Sequence, residues 1–151
     1  MSVDEPPVVR LERVRAEVTR PLRQRVLRPH LTPADLVFPH DDEPDSAHVV
    51  AVAQDGAVVG TVSVLPEPAP WGPAGWRLRG MATDEAVRGR GVGSRLLAAV
   101  LDHVRDHGGG LLWCNARVRA VPFYERGGLR TRGEPWEEPL IGLHVVMWRT
   151  V

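Results

Sequence analysis

The chain has 151 residues with 43% hydrophobic and 25% charged side chains, an ordinary globular balance in a length that can bury a core. Nineteen basic residues offset nineteen acidic ones, so no global charge draws the protein toward nucleic acid or a membrane surface. All nineteen basic residues are arginine, which excludes Schiff-base and P-loop lysines, and the lone Cys114 excludes an intrachain disulfide and a multi-cysteine zinc site.

The first residues, Met1-Ser2-Val3-Asp4-Glu5-Pro6-Pro7, lack the basic start and apolar run of a signal peptide. No apolar stretch approaches a membrane span, so the expected location is the cytoplasm. Val8 to Val14 reads as a short strand. Thr19 reads as a helix N-cap, with Pro21 in the first turn and Leu22, Val26 and Leu27 on one face up to Pro29. Residues 29–47 are rich in proline and acid, with Pro39 to Asp45 as a polar loop. The apolar runs His48 to Ala53 and Ala57 to Leu65 flank Asp55-Gly56, a tight-turn signal, and predict a β-hairpin.

A proline-rich excursion, Pro66 to Pro73, leads to a third strand-like run, Trp76 to Thr83. Gly91 to Asp106 is the clearest helix: Leu96, Leu97, Val100, Leu101 and Val104 form one apolar stripe, ended by Gly108-Gly109-Gly110. Leu111 to Asn115 reads as a short buried strand. Ala116 to Arg126 reads as a helix stopped by Gly127-Gly128, and strands follow near Leu129 to Arg132 and Ile141 to Arg149. This order predicts a single α/β domain over residues 1–151, its sheet antiparallel first and mixed later.

Between the third strand and the long helix lies Asp84-Glu85-Ala86-Val87-Arg88-Gly89-Arg90-Gly91-Val92-Gly93-Ser94. Glycines at alternate positions let backbone amides close on a ligand, and the following helix adds positive charge at its N-terminus. Arg88 and Arg90 supply two forked cations, so a pyrophosphate is the natural ligand. A Walker A loop requires lysine where Ser94 stands. A dinucleotide fingerprint requires a third glycine where Leu96 or Ser94 stands, and too little chain follows for the rest of that sheet. ATP, GTP and NAD therefore fit poorly.

Arg88, Gly91 and Gly93 match the [Q/R]-x-x-G-x-[G/A] cofactor loop of the GNAT acetyltransferase superfamily, which the sequence resembles. Leu78-Arg79-Gly80-Met81-Ala82-Thr83 looks like the family's bulged fourth strand. Ala120-Val121-Pro122-Phe123-Tyr124-Glu125-Arg126-Gly127-Gly128-Leu129 is similar to its A-x-x-F-Y-E-x-x-G-F segment. These segments occur in family order and spacing, and the resemblance is good over about residues 48–149. Trp113 to Arg117 paired with Ile141 to Met147 is similar to the ElaA-like bacterial branch. The resemblance implies a mixed, mostly antiparallel sheet flanked by helices, acetyl-CoA as co-substrate, and a small-molecule or peptide amine as acceptor. It leaves open whether the chain works as a monomer or a homodimer.

The roles implied are as follows. Backbone groups of Met81, Ala82 and Thr83 hold the pantetheine arm and stabilise a developing oxyanion. The amides of Arg88, Gly89, Arg90, Gly91, Val92, Gly93 and Ser94 cradle the pyrophosphate. Tyr124 donates the proton that the departing thiolate needs, since a phenol stays protonated at neutral pH. Many relatives carry asparagine seven residues before that tyrosine, where this chain has Arg117; Asn115 or Arg117 is then the cofactor contact. The general base is open among His144, Glu137, Glu138, Asp41 and a water chain.

Other residues read as structural: His103 and His107 as helix-end histidines and not metal ligands, Cys114 as an inert core thiol, the acids at 41–45 as a solvated face. Two rival readings are a non-catalytic acyl-CoA-binding regulator on the same fold and a nucleotide-binding protein of another class.

Overall fold

The structure, a computed structural model, describes residues 8–151. Among the described residues seven strands form one sheet in the order β1-β2-β3-β4-β5-β7-β6. They are β1 (Val9–Val14), β2 (Ala47–Ala53), β3 (Val58–Pro66), β4 (Trp76–Thr83), β5 (Leu111–Arg117), β6 (Arg130–Glu138) and β7 (Gly142–Thr150). The helices are α1 (Ala16–Leu22), α2 (Val92–Asp106) and α3 (Val121–Arg126). Every neighbouring pair is antiparallel except β4 and β5. Among the described residues no helix is long and apolar enough to cross a membrane.

The predicted hairpin forms. Gly56 sits at φ +86°, Asp55 Oδ1 accepts the Ala57 amide, and β2 and β3 pair from Ala47↔Val64 onward. Both strands are buried on both faces, which is why their apolar runs are nearly continuous instead of alternating. One face, with Val49, Ala51, Val62 and Val64, packs against Leu96, Leu97, Val100 and Val104 of α2. The opposite face lies under α1, where Leu22 and Leu65 are fully buried.

Three local readings differ from the structure. Thr19 is not an N-cap: α1 begins at Ala16 after Arg15, and the Thr19 hydroxyl donates backward to the Ala16 carbonyl at 2.6 Å. Pro21 lies inside that helix and cannot donate to the preceding turn, and the chain then widens into a π-type turn over Arg23–Leu27. Residues 116–117 are strand, not helix, because Ala116 and Arg117 find cross-strand partners in Val145 and His144. A 3-10 turn at Val118–Ala120 intervenes before α3, with Pro122 in its first turn. Finally, β6 extends to Glu138 through Gly133 and Pro135; it is an edge strand, and its register shifts between Arg132 and Trp136, where a proline is tolerated.

Candidate active site

β4 and β5 pair in parallel only at Trp76↔Leu112 and Arg77↔Trp113. Past those residues they separate, and the gap is the candidate site. A bulge in β4 helps to open it: Ser63 faces Arg79 and Thr61 faces Ala82, so β4 carries one residue more than β3 over this stretch. Gly80 occupies the bulge at φ +64°, where a Cβ would also lie 3.1 Å from Arg23 Nε. Only glycine meets both conditions without strain.

Two hollows adjoin, with Met81 and Phe123 lining each. The second, of about 340 Å³, is walled by Met81, Ala82, Thr83 and the glycine loop, including Arg88, Gly89, Gly91, Gly93 and Ser94. Gly89 and Gly91 adopt φ +74° and +86°, and nothing lies within 4 Å of where their Cβ atoms would be. Gly91 is the N-cap of α2 and makes no side-chain cap bond, which leaves the first-turn amides beside the hollow without that partner. A backbone cradle of this kind suits a phosphate-bearing cofactor. Its base is held by Asp84, which accepts from the Ala86 amide at 3.3 Å and pairs with Arg25 at 2.8 Å. Arg88 Nε donates to the Thr83 carbonyl at 3.1 Å. Arg90 is exposed, whereas the Val92 side chain turns into the core.

The first hollow, of about 240 Å³, lies between β4 and β5 and contains the other sequence-predicted residues. Tyr124 reaches it from α3 while 5% exposed, and burial, with Cys114 beside it, raises its phenol well above the usual range. Cys114 is itself buried in β5, and burial pushes its thiol up to about 12, which leaves it an unreactive core group. Asn115 and Arg117 both line this hollow. Arg117 Nη2 donates to the Leu27 carbonyl at 2.7 Å.

Among the candidate bases, His144 and Glu138 line the hollow. His144 Nδ1 lies 2.9 Å from the Gly142 carbonyl, which can only accept, so Nδ1 is the donor and Nε2 is the ring nitrogen through which a proton can be taken up. Its ring packs beside Trp136 at 5.9 Å. Glu137 is exposed on the edge strand.

Asp41 belongs elsewhere. It is 4% exposed, not solvated, and takes Arg23 Nη1 and Nη2 at 2.9 and 3.0 Å and the Phe38 amide at 2.9 Å. Burial works to raise its carboxyl, but the Arg23 and Phe38 bonds outweigh it and hold the group below the usual range. His103 Nε2 donates to the Asp45 carbonyl at 2.8 Å and ties α2 to the acidic loop, while His107 Nδ1 donates back to the His103 carbonyl at 2.8 Å at the helix end.

Sequence reasoning missed Arg28, Phe38, Arg77 and Arg79 as lining residues of the first hollow. The alternation of Arg77 and Arg79 with apolar Trp76 and Leu78 was the available signal, since period two puts both arginines on one face of β4.

Residues 11–128 match the family model described as Acetyltransferase (GNAT) family. A Bacillus subtilis (strain 168) protein, "Uncharacterized N-acetyltransferase YitI", is 32% identical over 146 residues, 95% of this chain and 97% of its own length. Among solved structures, Escherichia coli ElaA superposes with a TM-score of 0.77 at 19% identity, covering 94% of this chain and 99% of its own. An aminoglycoside 6'-N-acetyltransferase complexed with coenzyme A gives 0.67 at 17% identity, covering 93% and 96%. At these identities the two solved structures speak for the fold.

Proposed function

The chain belongs to the GNAT acetyltransferase family, and from that premise we propose that its described residues work as one domain that moves acetyl from acetyl-CoA to a primary amine. The observation that carries this reading is the junction of two hollows at Met81 and Phe123, a glycine-rich cradle on one side and a cleft with Tyr124 and His144 on the other. Acetyl-CoA, when bound, supplies the activated acetyl thioester.

The chain's own residues do the rest. Amides of the Arg88 to Ser94 loop and the N-terminus of α2 bind phosphate, assisted by the guanidiniums of Arg88 and Arg90. Backbone groups of the separated strand at Met81, Ala82 and Thr83, released from pairing with β5, hold an extended ligand arm and present donors to a developing negative oxygen. Asn115 or Arg117, at the opposite lip on β5, is the further cofactor contact. Tyr124 holds a proton at its phenolic oxygen across the physiological range and can give it to a thiolate leaving group. His144 Nε2 is the site that takes the amine's proton.

The test is a steady-state thiol-release assay across a panel of amines. Thiol release that depends on the amine supports the reading. Binding of acetyl-CoA with no turnover of any amine would favour a regulator on the same fold.

A further inference from the structure

The cleft between β4 and β5 carries more positive charge than acetyl transfer demands. Its wall has Arg28, Arg77, Arg79 and Arg117 against one acid, Glu138. Three of these guanidiniums are answered from within the protein. Arg77 Nη1 donates to Glu67 Oε2 at 2.9 Å. Arg28 donates to the Leu27 carbonyl at 3.0 Å and lies in the field of Glu138. Arg117 is bonded to the same Leu27 carbonyl at 2.7 Å.

Arg79 differs. Its guanidinium carbon stacks 4.1 Å from the centroid of the Phe38 ring. The carboxylates whose fields reach it, Glu67 and Asp41, are already bonded to Arg77 and Arg23. Burial first, and then its neighbour Arg77, push Arg79 down to about 10, against the opposing fields of Glu67 and Asp41. It stands one residue before the bulge at Gly80 and two beyond the last β4–β5 pair, about 7 Å up the separated strand at ordinary strand rise. An anion seated here would gain a half-desolvated, forked, permanently charged partner.

We propose that the acceptor is a small amine bearing an anionic group, carboxylate or phosphate, and that Arg79 is the residue that selects it. The amine rests on the acetyl-transfer reading above; the anion rests on the cleft alone. The cleft volume of about 240 Å³ accommodates a group of amino-acid size.

The experiment is calorimetric titration of the desulfo-CoA-saturated protein with matched probes. Glycine, leucine and phenylalanine are compared with their carboxamides, and phosphoethanolamine with ethanolamine, so the two arms tell carboxylate from phosphate. We expect at least one anionic probe to bind ten-fold or more tightly than its neutral match. Arg79→Gln should bring that ratio to within two-fold of one, and Arg79→Lys should restore part of it. A merely structural arginine, lost from Phe38, would weaken both members of a pair alike and leave the ratio where it was. A wild-type ratio near one in every pair, no binding by any probe, a ratio unchanged in Arg79→Gln, or a loss in that variant confined to desulfo-CoA would each overturn the proposal. Should Arg79→Gln fail to fold, Arg79→Lys and the fall of the wild-type ratio with added salt carry the test. Because binding needs no turnover, absence of thiol release with every amine would defeat the transferase reading while leaving this result intact.

Discussion

Arg23 and Arg79 stack on the same ring, Phe38, at 3.9 and 4.1 Å, yet they belong to two different regions. Arg23 lies in a buried network under α1, where its Nη1 and Nη2 are bonded and only its Nε lacks a partner. Its Nη1 donates to Asp41 and to the Leu36 carbonyl at 2.8 Å, and its Nη2 to Asp41 and to Ser63 at 2.8 Å. His48 completes the network: Nε2 donates to the Asp41 carbonyl at 2.8 Å, and Nδ1 accepts from Ser63 at 2.6 Å. The neighbouring cleft uses the same residue types, but Arg79, His144 Nε2, Asn115 and Tyr124 line open space there. The lesson is that residue type does not separate structural from functional chemistry. What separates them is whether the chain itself bonds most of the group's donors and acceptors.

The contrast can be broken at its strongest point first. If Tyr124 is a proton donor of the cleft, Tyr124→Phe keeps the ring and its packing, and kcat should fall about 10²–10⁴-fold. Acetyl-CoA affinity and Tm should hold, because the hydroxyl contributes in the transition state. A fall in Tm with unchanged turnover per folded molecule would move Tyr124 to the structural side.

Asp41 makes the reverse case. Asp41→Ala strands a buried guanidinium, so stability should drop by about 3–5 kcal/mol and Tm by roughly 10 °C. Turnover per folded molecule should stay within a few-fold. A rate loss at full stability would return Asp41 to the list of bases.

The cradle provides a third and smaller test. Gly91→Glu places a charged side chain at φ +86° on the phosphate side, and acetyl-CoA affinity should fall about 100-fold or more, roughly 2.7 kcal/mol. The apo fold should survive with about 1–2 kcal/mol of left-handed strain, because nothing lies within 4 Å of that Cβ. In the parent chain, acetyl-CoA at a hundred times its Kd should stabilise by about 2.7 kcal/mol, and desulfo-CoA by nearly as much. Absence of a thermal shift with either ligand would remove the cradle.

The smallest effect concerns pH and sharpens the buried network. Burial holds His48 below the ordinary histidine range, and Ser63 already receives Arg23 where a protonated Nδ1 would have to donate. The unfolded chain therefore binds a proton that the folded chain resists. The stabilisation is complete above the unfolded pKa near 6.5 and is lost as pH falls below it, with a slope of at most ~1.4 kcal/mol per pH unit for one group. Burial shifts His103 the same way, so His48→Gln should flatten the Tm-against-pH curve between pH 7 and 5 without levelling it. An unchanged curve would place the acid sensitivity elsewhere.

Much of this molecule was legible in its residues. The hairpin at Asp55-Gly56, the Trp76–Thr83 strand and the α2 stripe each rest on local chemistry strong enough to survive tertiary context. Thr19, Ala116 and Arg117 did not: the Thr19 hydroxyl turns back to the Ala16 carbonyl within α1, a local alternative to capping, and long-range cross-strand pairing to β7 claims the other two. In the site, the glycine loop was visible because positive φ demands a residue that can be read directly. The cationic wall was not, because Arg28, Arg77, Arg79 and Arg117 come from three separate segments.

Local signals along the chain therefore settled the α/β class, the family resemblance, the glycine loop ahead of α2 and the helical setting of Tyr124. Which arginine is spent on the fold and which faces the cleft emerged only in three dimensions. Arg23 and Arg79 are equivalent as sequence; Asp41, eighteen residues from Arg23, and Ser63, forty residues away, bond Arg23 and not Arg79. Periodicity can tell which side of a strand a charge lies on. It cannot tell what distant partner meets it there, and that partner determines whether the charge is satisfied or left to bind.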